Sequence, residues 1–295
     1  MAAPAAATRA SFVRGALWML AAAFAFAVLL ASVRYLSRTF SAFEIVLFRN
    51  VIGLAIAAPM IAGAGFAALR TRRFGGHVLR ATLSYLAMVT NFWAMSYIAM
   101  SDTAALLFLI PLIALVVAAL VLKERVDGPR WIAACIGFGG AMVIVRPGIA
   151  TVDLPVIVML CSAVLYAGAW ISLKALAGTE NAAVTVCYLN LLSLPLTLVP
   201  SLFVWVTPSW HHAPAILALG AAGWAAHYCQ ARSFAAADAS AVMPIDFMRL
   251  PFSAVLGFAL FGELSDAWTW VGAAIIFAAS TYITRRESRL NAARR

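Results

Sequence analysis

The sequence predicts an all-α integral membrane protein with ten transmembrane helices in two inverted five-helix repeats. Its composition, a series of apolar runs and an internal repeat lead to this prediction. The chain has 295 residues, of which 65% are hydrophobic and 11% are charged, and its mean hydropathy is +0.97. Soluble domains are about 25% charged, so these few charges could not cover a water-facing surface. The composition therefore excludes a soluble enzyme and a soluble nucleic-acid-binding protein.

Apolar runs of bilayer length recur along the whole chain. A helix needs about 20 apolar residues to cross a hydrocarbon core, and backbone groups in lipid must bond within their own helix. The predicted spans are residues 15–33, 43–64, 79–100, 103–122, 131–145, 154–173, 182–206, 215–233, 239–261 and 267–284. A turn-rich segment, residues 207–214, separates the seventh span from the eighth.

The basic residues predict how these helices are oriented. With alternating helices, sixteen of the 21 Lys and Arg residues fall on the side that holds both termini and three on the other, while Arg49 and Arg249 lie inside spans. Lys and Arg accumulate on the cytoplasmic side of a membrane, so both termini are expected in the cytoplasm. The net charge of +10 is then a topology signal. A composition rich in Arg and Ala suggests a bacterial source, so the expected location is the inner membrane.

The two halves of the sequence resemble each other. An offset of 139 aligns Glu124 with Glu263, and an offset of 140 aligns Met19 with Met159. Because five helices are an odd number, the second half must enter the membrane from the opposite side. Inverted repeats are typical of transporters, with the solute site near the midplane between the halves. The predicted segments are a cytoplasmic stretch at residues 1–14, a first repeat at 15–146, a second repeat at 154–284 and a basic cytoplasmic tail at 285–295.

Ionisable residues inside a span are costly, and each is a candidate for function. Asp246 and Arg249 are spaced i, i+3 in the ninth span, so they share a helix face and can pair. Pro244 and Pro251 flank them and open the helix locally. The first half has no counterpart of the pair. We expect Asp246 to bind substrate or a proton, with Arg249 as its partner or as an anion-binding group. The alternative is a self-neutralised pair that stabilises a helix kink.

Other polar and aromatic residues near mid-span complete the predicted substrate-binding set. At an offset of 136, Asn91 and His227 are predicted to occupy equivalent sites in the third and eighth spans. Both can hydrogen-bond a solute, and His227 can also titrate; the alternative is packing between helices. The set also contains an arginine that needs a partner or water and several aromatic residues, namely Arg49, Trp93, Tyr166, Trp170 and Trp224.

Charged residues at helix ends are expected to maintain the fold. Glu124 and Glu263 recur in both halves and are expected to bond exposed helix termini. Arg34 and Lys174 also recur and are expected to extend to the membrane surface. Glu44 is expected in water near the outer interface.

Short stretches of both halves resemble a known family. The first half reads AALLFLIP at residues 104–111 and LKER at 122–125, and the second reads ASAVMP at 239–244 and FGE at 261–263. These stretches are similar to the EamA domain of the drug/metabolite transporter superfamily, ten-helix branch, and the resemblance covers about residues 15–286. It implies metabolite transport, with the fifth and tenth helices mainly as scaffold. Amino-acid exporters of the YddG type share this architecture.

The repeat and the resemblance predict a membrane transporter that moves small metabolites by alternating access, and no enzyme activity. The carboxylate, the arginines and the aromatic residues suit a zwitterion, so export of amino acids or their derivatives is favoured. The alternative is uptake of another metabolite or cofactor, such as S-adenosylmethionine or riboflavin. A membrane-embedded enzyme or a structural membrane protein is more distant, because the histidines lack metal-site spacing.

The expected partners follow from this interpretation. They are the lipid bilayer and a small-molecule substrate, while coupling to protons stays open. No cofactor, metal or nucleic acid is expected.

Overall fold

The computed structural model describes residues 3–64, 71, 73–121, 128–146, 153–177, 182–236, 242 and 245–293. This described part is helical and contains no strand, which confirms the predicted all-α fold. Its helices are α1 (Ala3–Leu36), α2 (Ala42–Ala64), α3 (Phe74–Met95), α4 (Met100–Leu107), α5 (Ile110–Val121), α6 (Gly128–Val145), α7 (Leu154–Ala177), α8 (Ala182–Phe203), α9 (Ala213–Ala236), α10 (Arg249–Phe261) and α11 (Ala267–Ala293). A short 3₁₀ turn, Trp210–His212, precedes α9.

The helix lengths differ from the predicted spans. Among the described residues, four segments are long and apolar enough to cross a membrane: Phe12–Leu36, Ala42–Pro59, Met100–Val117 and Leu154–Ser172. Four apolar helices are shorter, with 10–17 residues: Trp131–Val145, Cys187–Phe203, Arg249–Phe261 and Ala267–Ile283. α1 starts well before Gly15 and α11 continues past Thr284. The described parts of both predicted terminal segments therefore belong to the helices of the adjoining spans. A helix can extend beyond the membrane in this way because its backbone hydrogen bonds are made within the helix.

Helix packing follows the predicted two-fold relation between the halves. α1 packs on α9, and its repeat equivalent α7 packs on α3, the equivalent of α9. α2 packs on α8 and α6 packs on α11, so these helices each meet their own equivalent. Burial repeats as well, because each of residues 16–29 is buried, half-buried or exposed as its equivalent at an offset of 140 is. The contacts support two five-helix repeats that face each other.

The fourth and ninth spans, predicted as continuous helices, are each interrupted. The chain turns at residues 108–109, between α4 and α5, and again at residues 247–248, before α10. Pro111 and Pro251 follow these turns and cannot donate a backbone hydrogen bond. At the second turn the Leu250 amide donates to the carbonyl three residues back, at 3.0 Å, instead of four back. The two turns align at the offset that also aligns Glu124 with Glu263, so they are equivalent in the repeat.

Charged side chains join several loops at one end of the bundle. The Glu263 carboxylate accepts a hydrogen bond from Arg34 Nε at 2.8 Å and another from the backbone amide of Met100 at 2.9 Å. Arg34 Nη1 also donates to the carbonyls of Met95 and Ser96, at 2.8 and 2.6 Å. Met100 begins α4, so the predicted role of Glu263 at a helix end is confirmed. Arg34 is held by these partners instead of extending freely to the surface.

The prediction that Glu44 lies in water is wrong, because its side chain is 0% exposed. Its carboxylate accepts hydrogen bonds from the amide and hydroxyl of Ser41, both at 2.9 Å, and from the Val206 amide at 2.6 Å. Ser41 and Glu44 form a capping box at the start of α2, and the bond to Val206 joins this end to the chain after α8. Glu124 and the side chain of Lys174 lie outside the described residues, so their predicted roles stay predictions.

The fifth and tenth spans, α6 and α11, cross at small residues. A Cβ atom built on Gly272 would lie 2.5 Å from the carbonyl oxygen of Gly140. Small residues let membrane helices approach this closely and gain van der Waals contact. The crossing joins the two repeats and involves none of the predicted site residues, in keeping with a scaffold role.

Candidate functional site

A buried arginine lies where α2 meets helices of both repeats. Arg49 is 7% exposed, and its Nη1 donates to Asn50 Oδ1 and to Met88 Sδ, both at 3.3 Å. It also touches α9, because a Cβ atom on Gly223 would lie 3.0 Å from its Nε. Among the ion pairs of the described residues, none involves Arg49. A desolvated cation without a counter-charge is costly, so Arg49 is suited to the acceptor groups of a bound solute.

Asp246 and Arg249 pair with each other at the turn that precedes α10. Arg249 Nη2 donates to both carboxylate oxygens of Asp246 at 2.8 Å. This confirms the predicted i, i+3 pairing, although the two residues lie on either side of a turn and Pro244 is outside the described residues. The Arg249 guanidinium lies 4.0 Å from the ring centre of Phe26 and 5.9 Å from that of Phe108. Arg249 Nε has no hydrogen-bond partner within the described part of the chain.

Tyr166 and His227 lie near both of these arginines. Tyr166 lies within electrostatic range of Arg49 and Arg249, and His227 lies within range of Arg49, Arg80 and Arg249. His227 also meets Phe26 edge to face, with 5.4 Å between the ring centroids. Phe26 and Tyr166 are repeat equivalents, so the first helix of each repeat supplies an aromatic ring from the same position. We call Arg49, Asp246, Arg249, Phe26, Tyr166 and His227 the central cluster.

Asn91 is buried between α3 and α7 and is 2% exposed. Its Nδ2 donates to Met159 Sδ at 3.1 Å and to Ser162 Oγ at 3.4 Å. Both partners belong to α7, so the described contacts of Asn91 join two helices. This arrangement favours the alternative of packing between helices, and a role in binding stays a prediction.

The predicted equivalence of Asn91 and His227 is wrong. The burial of residues 83–91 repeats position by position in residues 218–226, which is an offset of 135 rather than 136. A shift of one residue corresponds to a rotation of about 100° around a helix. The offset of 136 therefore matched Asn91 with a residue on a different face of the eighth span. Asn91 therefore corresponds to Ala226, and no polar group repeats it in the eighth span.

Of the three predicted tryptophans, Trp93 and Trp224 make ring contacts outside the central cluster. Trp93 is half-buried, and its ring lies 5.0 Å from that of Tyr97. Trp224 stacks on Tyr228 with 4.9 Å between ring centroids. Trp170 is 40% exposed. Their predicted role in binding is therefore not supported by a contact, and it stays a prediction.

Two asparagines that the sequence analysis missed lie where α2 crosses α8. Asn50 and Asn190 are repeat equivalents and are 0% and 6% exposed. The Asn190 amide lies against Gly53, where a Cβ atom would be 3.7 Å from Nδ2. In the described part of the molecule Asn50 Nδ2 has no hydrogen-bond partner. The repeat contains the signal that could have found them, because the offset of the first helices also aligns the second and seventh spans.

Three phenylalanines of the site were also missed. Phe26 belongs to the central cluster, and Phe108 and Phe247 stack on each other with 3.8 Å between ring centroids. Phe247 also contacts Phe277 at 4.2 Å. The chain contains 18 phenylalanines, and apolar spacing alone could not show which of them meet between the repeats.

This arrangement provides hydrogen-bond donors beside aromatic faces. The two guanidinium groups offer N–H donors in fixed planes, and the single carboxylate among them is already paired. In the described residues no three His, Cys, Asp or Glu side chains come close enough to hold a metal ion. Chemically, such an arrangement suits a solute that carries hydrogen-bond acceptors beside an apolar or aromatic surface.

Comparison with known proteins agrees with a transport fold. The model of the EamA-like transporter family matches residues 13–146. The chain is 32% identical to a riboflavin transporter of Vibrio cholerae serotype O1, with 94% of each chain covered. It is 26% identical to an S-adenosylmethionine uptake transporter of Rickettsia prowazekii, with 87% of each covered. A crystal structure with 17% identity has a TM-score of 0.61 over 97% of this chain and 99% of the other, which supports the fold.

Proposed function

The chain belongs to the EamA-like transporter family and is a small-molecule membrane transporter, and from this premise we propose that it imports riboflavin or a similar flat heteroaromatic solute. This proposal favours the predicted alternative, cofactor uptake, over the predicted amino-acid export. Among relatives that match most of the chain, two are named for riboflavin transport and for S-adenosylmethionine uptake, and a third, 27% identical over 92% of this chain, is named a pseudopaline exporter. Alternating access moves a solute without making or breaking its covalent bonds, so no enzymatic step is part of the proposal.

The observation that carries the proposal is a buried arginine, Arg49, that has no ion-pair partner among the described residues, together with the aromatic rings near the arginines of the central cluster. Arg49 supplies donors, Phe26 packs against the second arginine, Arg249, and Tyr166 lies within electrostatic range of both. The ring system of riboflavin is flat and has carbonyl oxygens and ring nitrogens along one edge. Aromatic faces can stack on such a ring, while guanidinium groups donate to its edge.

The charges of the central cluster distinguish this solute from the other candidates. Two arginines and one aspartate leave the cluster positive, which disfavours the sulfonium cation of S-adenosylmethionine. An amino acid needs a carboxylate for its ammonium group, but both oxygens of Asp246 already accept from Arg249. Riboflavin is neutral, so it requires neither a site for a cation nor a free carboxylate for an ammonium group.

The remaining parts of the proposal concern orientation and coupling. We place both termini in the cytoplasm of a bacterial inner membrane, from the distribution of Lys and Arg. Asp246 is the proposed proton-binding group if uptake is proton-driven. Riboflavin flux that stays constant when the proton gradient is collapsed would exclude that coupling.

Uptake into proteoliposomes tests the proposal directly. The purified protein should accumulate radiolabelled riboflavin saturably, and unlabelled riboflavin should compete whereas S-adenosylmethionine and phenylalanine should not. Arg49→Leu should remove uptake. Arg232→Leu, which changes an exposed arginine of α9, is the matched control and should retain it. Flux of S-adenosylmethionine or an amino acid with none of riboflavin would reject the proposed substrate.

A further inference from the structure

We propose that Phe108 and Phe247 are the two faces between which the flat ring of the solute inserts. The inference rests on the proposed function and deepens it, because it names the surfaces that hold the ring. It also places the binding site on the contact between the two repeats.

The two phenylalanines hold equivalent positions in the repeats. Each stands at the turn that interrupts its span, at residues 108–109 and 247–248. Their ring centroids are 3.8 Å apart and their planes differ by 14°. One ring from each repeat therefore meets its own equivalent face to face.

Such a parallel contact is a weak one for two phenyl rings. Phenyl pairs prefer edge-to-face or offset arrangements with centroids about 4.5–7 Å apart, because the like-charged faces repel. Two neighbouring ring pairs have the edge-to-face orientation: Phe247 meets Phe277 at 62°, and Phe26 meets the His227 imidazole at 88°. Separating Phe108 from Phe247 thus costs little attraction. A heteroaromatic ring, whose nitrogens and carbonyls withdraw electrons, stacks favourably on both faces at once.

The surroundings of the pair suit the edge of such a ring. The Arg249 guanidinium lies 5.9 Å from the centre of Phe108, and its Nε is without a hydrogen-bond partner in the described residues. A ring inserted beside Phe108 brings its acceptor edge close to that group. Arg249 would then bind both the solute and Asp246 from different nitrogens.

The turns at residues 108–109 and 247–248 also explain how an inserted ring can affect both repeats. Residues at the ends of helices can absorb a change in backbone angles while the helices stay rigid. A ring held by Phe108 and Phe247 contacts a movable turn in each half. Binding is therefore linked to the relative position of the halves, which alternating access has to change.

Binding measurements on the full-length protein in lipid nanodiscs test this inference. The probes are riboflavin, lumiflavin, which has the same ring with a methyl group in place of the polyol chain, and adenosine as an unrelated flat ring. Lumiflavin should bind within a few-fold of riboflavin. Phe108→Leu and Phe247→Leu should each weaken flavin binding about tenfold, whereas Phe108→Tyr and Phe247→Tyr, which keep an aromatic face, should not. Phe252→Leu is the matched control in α10; its ring contacts Phe24 at 5.5 Å, and flavin affinity should be unchanged.

The outcomes separate this inference from the proposed function. Folded leucine variants that bind lumiflavin with wild-type affinity would overturn the inference and leave riboflavin transport intact. Binding of adenosine alone, dependent on both phenylalanines, would reject riboflavin but support the inserted ring. A wild-type protein that binds none of the three probes would reject both. If a leucine variant does not fold, Phe108→Met or Phe247→Met removes the ring at similar volume and decides the question.

Discussion

The two repeats have the same arrangement of helices but carry different charged residues at the centre of the molecule. Their first helices agree in burial position by position, and their fourth spans turn at equivalent residues. At the centre the charged residues differ, since Arg49 corresponds to Leu189 and Asp246 corresponds to Leu107. The comparison suggests that charged groups which recur in both repeats maintain the fold, while buried charged groups found in one repeat alone recognise the solute.

Charges at the helix ends follow the opposite pattern. Arg34 and Glu263 form an ion pair at one end of the bundle, and the repeat gives them the equivalents Lys174 and Glu124, with the same signs. A charge pair that both repeats retain serves a purpose that both repeats share, such as fixing a loop to a helix terminus. Substitutions that make the halves more alike, or less alike, can test this distinction.

Replacing Arg49 by the residue of the other repeat should have the largest effect. Arg49→Leu is expected to lower riboflavin uptake about 100-fold, or roughly 2.8 kcal/mol, because the site loses a guanidinium group that has no ion-pair partner among the described residues. Thermal stability should stay constant or rise, since a buried cation without a counter-charge is replaced by an apolar side chain. Uptake in vesicles and the melting temperature of the purified protein measure the two effects. Retained uptake would show that this asymmetry has no role in transport.

The second substitution addresses the pair at the broken ninth span. Asp246→Asn keeps the shape and removes the charge, so uptake should fall about tenfold, or roughly 1.4 kcal/mol. It should also lower the melting temperature, because Arg249 loses the carboxylate that neutralises it. The double variant Asp246→Asn, Arg249→Gln should recover stability without recovering uptake. Full transport by that double variant would mean that the pair only supports the helix break.

A charge that recurs in both repeats should matter less for transport. Glu263→Gln removes the ion pair with Arg34 and is expected to destabilise the protein by about 1.5–3 kcal/mol, the usual contribution of a charge-assisted hydrogen bond. Uptake per folded molecule should change no more than about threefold, which is roughly 0.7 kcal/mol. Glu124→Gln, its repeat equivalent, is the matched variant. If either variant lowered uptake as much as Arg49→Leu does, the separation between fold and recognition would fail.

Much of the fold could be predicted from the sequence. The bilayer dictates the apolar composition and the length of each apolar run, and the internal repeat shows that the chain has two halves. The pairing of Asp246 with Arg249 was also predictable from local spacing. The prediction that the fourth and ninth spans are continuous helices was wrong. A proline shows where a helix loses a backbone hydrogen bond, but it does not show how far the chain turns at that point. The solvated Glu44 was wrong because the loop amide that it accepts from, Val206, is 162 residues away.

The site was predicted less completely than the fold. Its charged members stood out against an apolar background, but Phe108 and Phe247 could not be distinguished from other phenylalanines of the core. Asn91 and His227 were aligned by residue type, and only burial shows that the offset is 135. Contacts between helices that are distant in sequence decide these points, and a single sequence does not contain them.

The smallest effect is expected where the repeats differ without a change in polarity. The described residues include four free cysteines, of which Cys187 and Cys229 are buried and Cys135 and Cys161 are exposed. At the offsets of their spans, the equivalents of Cys135, Cys161, Cys187 and Cys229 are Ala274, Ala21, Leu47 and Ala94. A buried cysteine behaves as a small hydrophobe, so these differences should not contribute to recognition.

A cysteine-free variant tests whether asymmetry alone is enough to mark a functional residue. Changing all four cysteines to alanine makes three positions identical to their repeat equivalents, and it should leave riboflavin uptake within about twofold, or roughly 0.4 kcal/mol. Cys187→Ala and Cys229→Ala should lower stability by about 1 kcal/mol each at most, because each removes one buried sulfur atom from a packed interior. Uptake and melting temperature of the same preparation measure both effects. Loss of uptake with normal stability would show that an apolar difference between the repeats can also be functional. Burial and polarity would then not be enough to distinguish a functional residue such as Arg49 from a packing residue such as Cys229.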